Sequence, residues 1–85
     1  MTCRDEVLAA ARTIVGRKGV NEFSPQEVIE HMRGTGTRYK VSGIRTHVVS
    51  RMCRNAPWHH ATKYEDFERV AYATYRIVGR SVGSP

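Results

Sequence analysis

The segment FSPQEVIEHMRGTGTRYKVSGIRTHVVSRMCR, residues 23–54, decides the fold of this chain. Near its start, Ser24 is a good helix cap, Pro25 suits the first helical turn, and Glu27 completes a capping box with Ser24. The glycine-rich stretch at residues 34–36 is typical of a helix end. These signals predict a helix that begins just after Ser24 and ends at Gly34.

The second half of the same segment predicts another helix, the third of the chain, from Ser42 to about Arg54. Its core-facing stripe repeats at three- and four-residue steps and consists of Val41, Ile44, Val48 and Met52. The opposite side lacks large apolar and acidic side chains and carries Gly43, Thr46, His47, Ser50 and Arg54. Because Pro57 cannot continue a helix, the element must end before it. Two helices joined by a linker in this order are typical of a helix-turn-helix.

The flanking sequence supplies one further helix and two strands. A first helix is predicted from Cys3 to Lys18, with Thr2 as its cap, Asp5 closing a capping box and Gly19 as its stop. β-Branched and aromatic residues predict two short strands, residues 67–70 and 74–78, joined by a tight connection. The predicted fold class is therefore α+β (mainly α), a winged helix-turn-helix with three helices plus a C-terminal β-hairpin wing. The domain is predicted to span residues 1–78, followed by a flexible C-terminal tail at residues 79–85.

Positive charge is concentrated in the middle of the chain. No acidic residue occurs between Glu30 and Glu65, whereas this basic window, residues 31–64, holds seven Lys or Arg residues and all four histidines. The flanks are nearly balanced, so the window accounts for the positive excess behind the formal net charge of +6. A charge so localised is typical of a surface that meets a polyanion. The alternative is a solvated basic face without a partner.

Length and composition narrow the class of protein. The 85 residues suffice for one small domain. No apolar run approaches the ~18 residues of a membrane span, and the N-terminus lacks the apolar core of a signal peptide. Cys3 and Cys53 form no disulfide framework, so we expect free thiols and a cytoplasmic, nucleoid-associated protein that does not contact a membrane.

The sequence offers no catalytic or metal-binding pattern. It contains no glycine-rich phosphate loop, nucleophile elbow or metal–carboxylate cluster, so we expect neither an enzyme nor a cofactor or small-molecule substrate. A zinc site would have to combine Cys53 with His47, His59 and His60, whose spacing matches no standard finger, and none is expected. We interpret Trp58 as the lid of a small core, with stacking on a base as the alternative.

The third helix and its flanks carry groups suited to duplex DNA. Thr46 and Ser50 are short donors and acceptors for base edges or thymine methyl groups, and Arg45 can form bidentate contacts with guanine. The alternatives are that Arg45 pairs with a carboxylate of the first or second helix, and that the two hydroxyls are ordinary surface groups. Phosphate contacts are predicted for Arg33, Arg38, Lys40, Arg51, Arg54 and Lys63.

Four stretches carry a resemblance to a known type of module: FSPQEV at 23–28, SGIRTH at 42–47, RMCRNAP at 51–57 and FERVAYATYRI at 67–77. They resemble small bacterial winged-helix modules that occur alone or attached to restriction-type endonucleases, over about residues 4–78. The resemblance implies double-stranded DNA binding, with the groove-facing start of the third helix formed by Ser42, Arg45, Thr46 and His47. Some related modules recognise modified bases, which extends the expectation to DNA methylation. Related hairpins tend to have a glycine where this chain has Ala73, so the tightness of the wing depends on that position.

These observations leave two main hypotheses. The first is a sequence-selective double-stranded DNA-binding protein, acting in transcription regulation or as a DNA-reading accessory. The alternative is a winged-helix protein-interaction adaptor whose basic window docks on an acidic partner. RNA binding is less favoured, because no aromatic platform pattern occurs. A homodimer and a monomer both stay open, since helix-turn-helix proteins often bind paired half-sites.

Overall fold

A computed structural model describes residues 2–55 and 64–78, which form three helices followed by an antiparallel β-hairpin. The helices are α1 (Cys3–Lys18), α2 (Pro25–Gly34) and α3 (Val41–Thr46), and α3 continues as a π-helical segment (His47–Arg51). The strands are β1 (Phe67–Ala71) and β2 (Thr74–Ile77). The mainly helical α+β prediction is confirmed, and the layout is consistent with a winged helix. The predicted tail lies outside the described residues, as do Trp58, His59, His60 and Lys63.

The first two helices begin at the predicted caps. Thr2 Oγ1 accepts a hydrogen bond from Asp5 N at 3.2 Å, and the Asp5 carboxylate accepts one from Thr2 N at 3.3 Å. Ser24 Oγ accepts from Glu27 N at 3.1 Å, and Glu27 Oε1 accepts from Ser24 N at 2.8 Å. Each capping box therefore satisfies two backbone N–H groups, that of the cap residue and that of the third helical residue, which the helix itself leaves without partners. Gly19 ends α1 in the left-handed conformation, with a φ of 78°.

The third helix differs from the prediction at both ends. It starts at Val41, one residue before the predicted Ser42. Its N-cap is Lys40, which makes no side-chain capping bond. The predicted extension to Arg54 is wrong, since the last turn widens and ends at Arg51. Met52 N donates to His47 O at 2.8 Å, a five-residue step. The reason is tertiary, because Arg54 N donates to Phe67 O at 2.8 Å and so belongs to the edge of the hairpin.

All of these elements share one hydrophobic core. Within it, Phe23 and Phe67 meet edge-on, with ring centroids 4.8 Å apart and ring planes at 70°. Tyr75 of β2 lies beside Phe23 and is 4% exposed, so the base of the hairpin is part of the core rather than an appendage. The helices contribute Val7, Ile14, Val28, Ile29, Met32, Ile44 and Val48.

Both outer edges of the hairpin are hydrogen-bonded to the helical part of the chain. On the β2 side, Phe23 and Tyr75 exchange two backbone hydrogen bonds of 2.8 Å, which makes residue 23 a one-residue third strand. On the β1 side, Phe67 donates to Met52 O and accepts from Arg54 N, each at 2.8 Å. The hairpin is thus fixed between the loop before α2 and the end of the third helix. This pairing was not predicted from the sequence.

Two asparagine side chains extend these edges. The Asn21 amide donates to Ile77 O and accepts from Ile77 N, both at 2.9 Å. The Asn55 amide does the same for Arg69, at 3.0 and 2.9 Å. Each amide supplies the donor and acceptor that a neighbouring strand would supply, so the backbone groups of the edge are satisfied without a further strand.

Arg4 of α1 fastens the residue that precedes β1. Its guanidinium donates to both oxygens of Asp66, at 2.9 and 2.8 Å, and lies 4.5 Å from the ring centroid of Tyr64. Asp66 is only 6% exposed. The hydrogen bond with Asp66 raises the pKa of Arg4 above its ordinary value. This bidentate contact joins α1 to the start of the hairpin.

The hairpin turn places Ala73 in a conformation that favours glycine. Its φ is 52°, and it is the one residue other than glycine with a positive φ in the described ranges. The pairing of β1 with β2 also shifts register between Arg69 and Ala71. The wing is therefore tight despite the alanine.

None of the helices in the described ranges is long and apolar enough to cross a membrane.

The caps give a first test. Ser24→Ala removes the oxygen that accepts from Glu27 N and should lower the free energy of unfolding by about 1 kcal/mol. Ser42→Ala is the matched control, because Ser42 is exposed and is not the cap of α3. It should change stability by less than about 0.5 kcal/mol in the same urea titration. Equal losses would contradict the cap assignment.

The turn gives a second test. Ala73→Gly relieves the left-handed strain and should raise the free energy of unfolding by about 0.5–1 kcal/mol. Ala71→Gly, two residues away in β1, should instead lower it by about 0.5–1 kcal/mol, because glycine weakens a strand. Thermal unfolding of both variants measures the opposite signs. A loss of stability in Ala73→Gly would show that the alanine is not strained.

Candidate nucleic-acid interface

The outer side of α3 is an open ridge of small and cationic groups. Ser42, Arg45 and Thr46 are exposed on it, and we call these three residues the α3 ridge. Arg45 Nη2 lies 3.5 Å from Gln26 Oε1, and within the described residues no carboxylate is close enough to pair with it. The alternative, that Arg45 pairs with a carboxylate of the first or second helix, is therefore wrong. The hairpin leaves the ridge uncovered.

Two polar side chains, one on the ridge and one beside it, form hydrogen bonds with the backbone of their own helix. Thr46 Oγ1 donates to Ser42 O at 2.9 Å. His47 Nδ1 lies 2.9 Å from Gly43 O, and since a carbonyl only accepts, Nδ1 is the protonated nitrogen in that contact. Each bond fixes the side chain. Thr46 Oγ1 keeps lone pairs for an incoming donor, and Nε2 is the ring nitrogen of His47 that is left for a partner. His47 and Ser50 are half-buried, at the rim rather than on the ridge.

Lys63 lies outside the described residues, and the other five predicted phosphate-binding cations fall into two groups. Arg33, Arg38, Lys40 and Arg51 are exposed, and none of them forms an ion pair within the described residues. Arg38 lies against the neighbouring ring of Tyr39, 5.5 Å from its centroid. These four side chains keep their positive charge available to a partner. Arg54 forms the second group.

Arg54 shares a carboxylate with the hairpin. Its Nη2 lies 3.4 Å from Glu68 Oε2, while Arg76 approaches Glu68 Oε1 to 2.6 Å. The basic window contains no acidic residue, but the fold brings this one to it from β1. The charge of Arg54 is therefore partly compensated, unlike that of Arg45. Sequence reasoning missed this pairing, because fourteen residues separate the two partners.

A groove separates the third helix from the hairpin. It encloses about 330 Å³ and includes among its lining residues Arg45, Val49, Ser50, Arg69, Tyr72 and Tyr75, and we call it the wing groove. Tyr72 at the hairpin turn is 88% exposed. Arg45 and Ser50, both predicted base contacts, thus lie together with Arg69 and Tyr72, which the sequence did not single out. Their position in the predicted wing was the sequence signal from which a role for Arg69 and Tyr72 could have been predicted.

The described residues hold no group of three or more His, Cys, Asp or Glu side chains that would bind a metal ion. Cys53 is buried, and its thiol contacts Asn55 Oδ1 at 3.1 Å. His59 and His60 lie outside the described residues, so the absence of a zinc site stays a prediction.

Glu68 predicts a pH dependence of stability. The hydrogen bond from Arg76, helped by the charges of Arg76 and Arg54, holds the pKa of Glu68 below its ordinary value of 4.5. The carboxylate therefore stabilises the fold fully above that pH, and the contribution is lost as the pH falls through the lowered folded-state pKa. The difference in unfolding free energy between wild type and Glu68→Gln should shrink below pH 4.5. Glu65→Gln, at an exposed position, is the control, and a pH-independent difference for Glu68→Gln would contradict the pairing.

Comparisons with known proteins give one match. No curated protein and no solved structure matches the chain. One family model, described as a domain of unknown function (DUF7669), matches residues 3–77 and so spans every helix and strand described above. The chain therefore belongs to the DUF7669 family.

Proposed function

We propose that this chain is a double-stranded DNA-binding protein, a transcriptional regulator or DNA-reading accessory that acts without catalysis or cofactor. The observation that carries the proposal is the α3 ridge, which is exposed, cationic and free of paired carboxylates in the described part of the chain. A helix of this kind fits the major groove of B-DNA, about 12 Å wide. Base contacts then come from Ser42, Arg45 and Thr46, with His47 and Ser50 at the rim.

The cations around the ridge support the same proposal. Arg33 and Arg38 lie at and after the end of α2, Lys40 precedes α3, and Arg51 ends the π-helical segment. Side chains so placed flank the ridge along the chain, as phosphate contacts flank a recognition helix. Arg54 takes part with a charge reduced by Glu68, and Lys63 completes the proposed set. A chromosomal location in the cytoplasm follows from this function, and dimerisation would allow paired half-sites.

One observation favours the adaptor as a second candidate. The hairpin exposes Val70 to 45% and Tyr72 to 88%, and exposed aromatic side chains are typical anchors of protein interfaces. The third helix carries no exposed aromatic side chain in the described residues, although Val41 at its start is 41% exposed. The wing therefore offers the larger anchor to a protein partner. An acidic partner bound there would leave duplex DNA unbound near physiological salt.

Binding to duplex DNA at two salt concentrations tests the proposal. A randomised duplex pool, with and without methylated bases, should yield a preferred sequence, and fluorescence anisotropy on it should give a log–log salt slope of about −3 to −6. This slope corresponds to the exposed cations counted above, each of which releases counterions when it meets a phosphate. A flat salt response, or a stable complex with an acidic protein in place of DNA, would favour the adaptor.

The roles of individual arginines give a further prediction. Arg45→Ala should weaken binding to the selected sequence by about 1–3 kcal/mol and reduce its preference over a scrambled duplex. Arg38→Ala should weaken both duplexes alike, because a phosphate contact carries no sequence information. Arg12→Ala, an exposed arginine of α1, removes the same charge and should have little effect on either. Indistinguishable results for Arg45→Ala and Arg38→Ala on the two duplexes would contradict the division of roles.

A further inference from the structure

We propose that the wing groove binds the sugar–phosphate backbone of one strand of duplex DNA, with Arg69 on a phosphate and Tyr72 against the adjoining sugar, while Arg45 on the opposite wall reaches the bases. The inference rests on the proposed function and deepens it. It assigns contact roles to Arg69 and Tyr72, and it places Arg45 where the base-reading ridge and the backbone meet. Its support comes from the charges, the neutral contacts of the two arginines and the apolar wall of the groove.

The two arginines of the groove face neutral oxygens. Arg69 Nε donates to Ala71 O at 3.2 Å, which leaves its two terminal nitrogens free of that contact. Arg45 Nη2 faces the amide oxygen of Gln26 at 3.5 Å. Among the residues that the structure describes, no carboxylate lines the groove. Both positive charges therefore stay uncompensated on opposite walls of one groove, and guanidinium groups bind phosphate well because their planar forks match its oxygens.

The amide oxygen that faces Arg45 belongs to a side chain with a second partner. Gln26 Nε2 donates to the Glu30 carboxylate at 3.0 Å, so the amide oxygen is the group of Gln26 that remains for Arg45. The Arg69 backbone is fixed in turn by the Asn55 amide. Groups positioned before binding lose less conformational entropy when the ligand arrives, which favours affinity.

The rest of the groove is apolar and aromatic. Val49 and Tyr75 belong to its walls, and Tyr72 stands at its mouth with 88% of its surface exposed. Deoxyribose has an apolar face, and a ring at this position can pack on it while Arg69 holds the flanking phosphate. A bare anion would leave this surface unused, so the combination favours a nucleic-acid backbone.

The hairpin offers a matched control for charge. Arg76 lies on β2, paired in register with Glu68, and its guanidinium is held by that carboxylate at 2.6 Å. Arg69→Ala and Arg76→Ala remove the same charge from the same hairpin, but only Arg69 lines the wing groove. A comparison of the two variants therefore separates a specific contact from the general effect of net charge.

We expect Arg69→Ala to weaken binding of the selected duplex about tenfold and to reduce the magnitude of the salt slope by about 1, since one phosphate contact is lost. Arg76→Ala should change affinity less than about twofold and leave the slope unchanged. Arg69→Gln also removes the charge but keeps a longer side chain than alanine does. Thermal unfolding shows that each variant is folded. Equal losses for the Arg69 and Arg76 variants would overturn the proposal.

Tyr72 is tested separately. Tyr72→Ala should weaken binding about tenfold with no change in salt slope, because an aromatic contact releases no counterions. Tyr72→Phe keeps the ring and should bind like wild type. If Tyr72→Ala bound the duplex with the affinity of the wild type, the ring would not be part of the interface and its assignment would be overturned. Failure of the wild-type chain to bind any duplex would instead overturn the proposed function, so the two failures are distinguishable.

Discussion

The arrangement depends on the hydrogen bonds that hold the β-hairpin between two helical segments. A two-stranded hairpin is marginally stable in water. Here Phe23 and Tyr75 bond on one edge, and Phe67 bonds to Met52 and Arg54 on the other. Because Phe67 engages the backbone on both sides of residue 53, the third helix must end at Arg51. The same bonds fix the wing beside that helix and so create the groove between them.

The fold also sorts the positive charges that the sequence presents as one block. Glu68 reaches the basic window through β1 and compensates Arg54 and Arg76, whereas Arg45 and Arg69 face neutral oxygens. Ion pairs at a surface contribute little to stability, so the main consequence of Glu68 is that Arg54 and Arg76 carry less free charge than Arg45 and Arg69. Net charge alone would have assigned every arginine the same role.

Local signals in the sequence predicted most of the helices and the hairpin. The capping boxes at Thr2 and Ser24 depend on residues three positions apart, and both form as predicted. The end of the third helix depends on Phe67, more than a dozen residues away, and no local pattern contains that contact. The same distance hid the single-residue strand at Phe23 and the ion pair of Arg54. Of the candidate site, the periodicity correctly placed Thr46 and Arg54 outward, but His47 and Ser50 are half-buried. Val41, which was predicted to face the core, is 41% exposed because it begins the helix outside the packed interior. The position of Arg69 and Tyr72 beside the third helix was not predicted.

The strained turn links stability to the proposed function. Ala73 keeps a left-handed φ of 52° although glycine would adopt it at lower cost, and Tyr72 beside it is almost fully exposed. A side chain on residue 73 restricts the backbone at the turn, where glycine would leave it more mobile. A stiffer turn restricts the backbone that carries Tyr72 and the backbone of Ala71, whose carbonyl oxygen accepts from Arg69 Nε. Strain at this position is therefore consistent with a wing that must present its groups in a fixed geometry, rather than with a turn selected for stability alone.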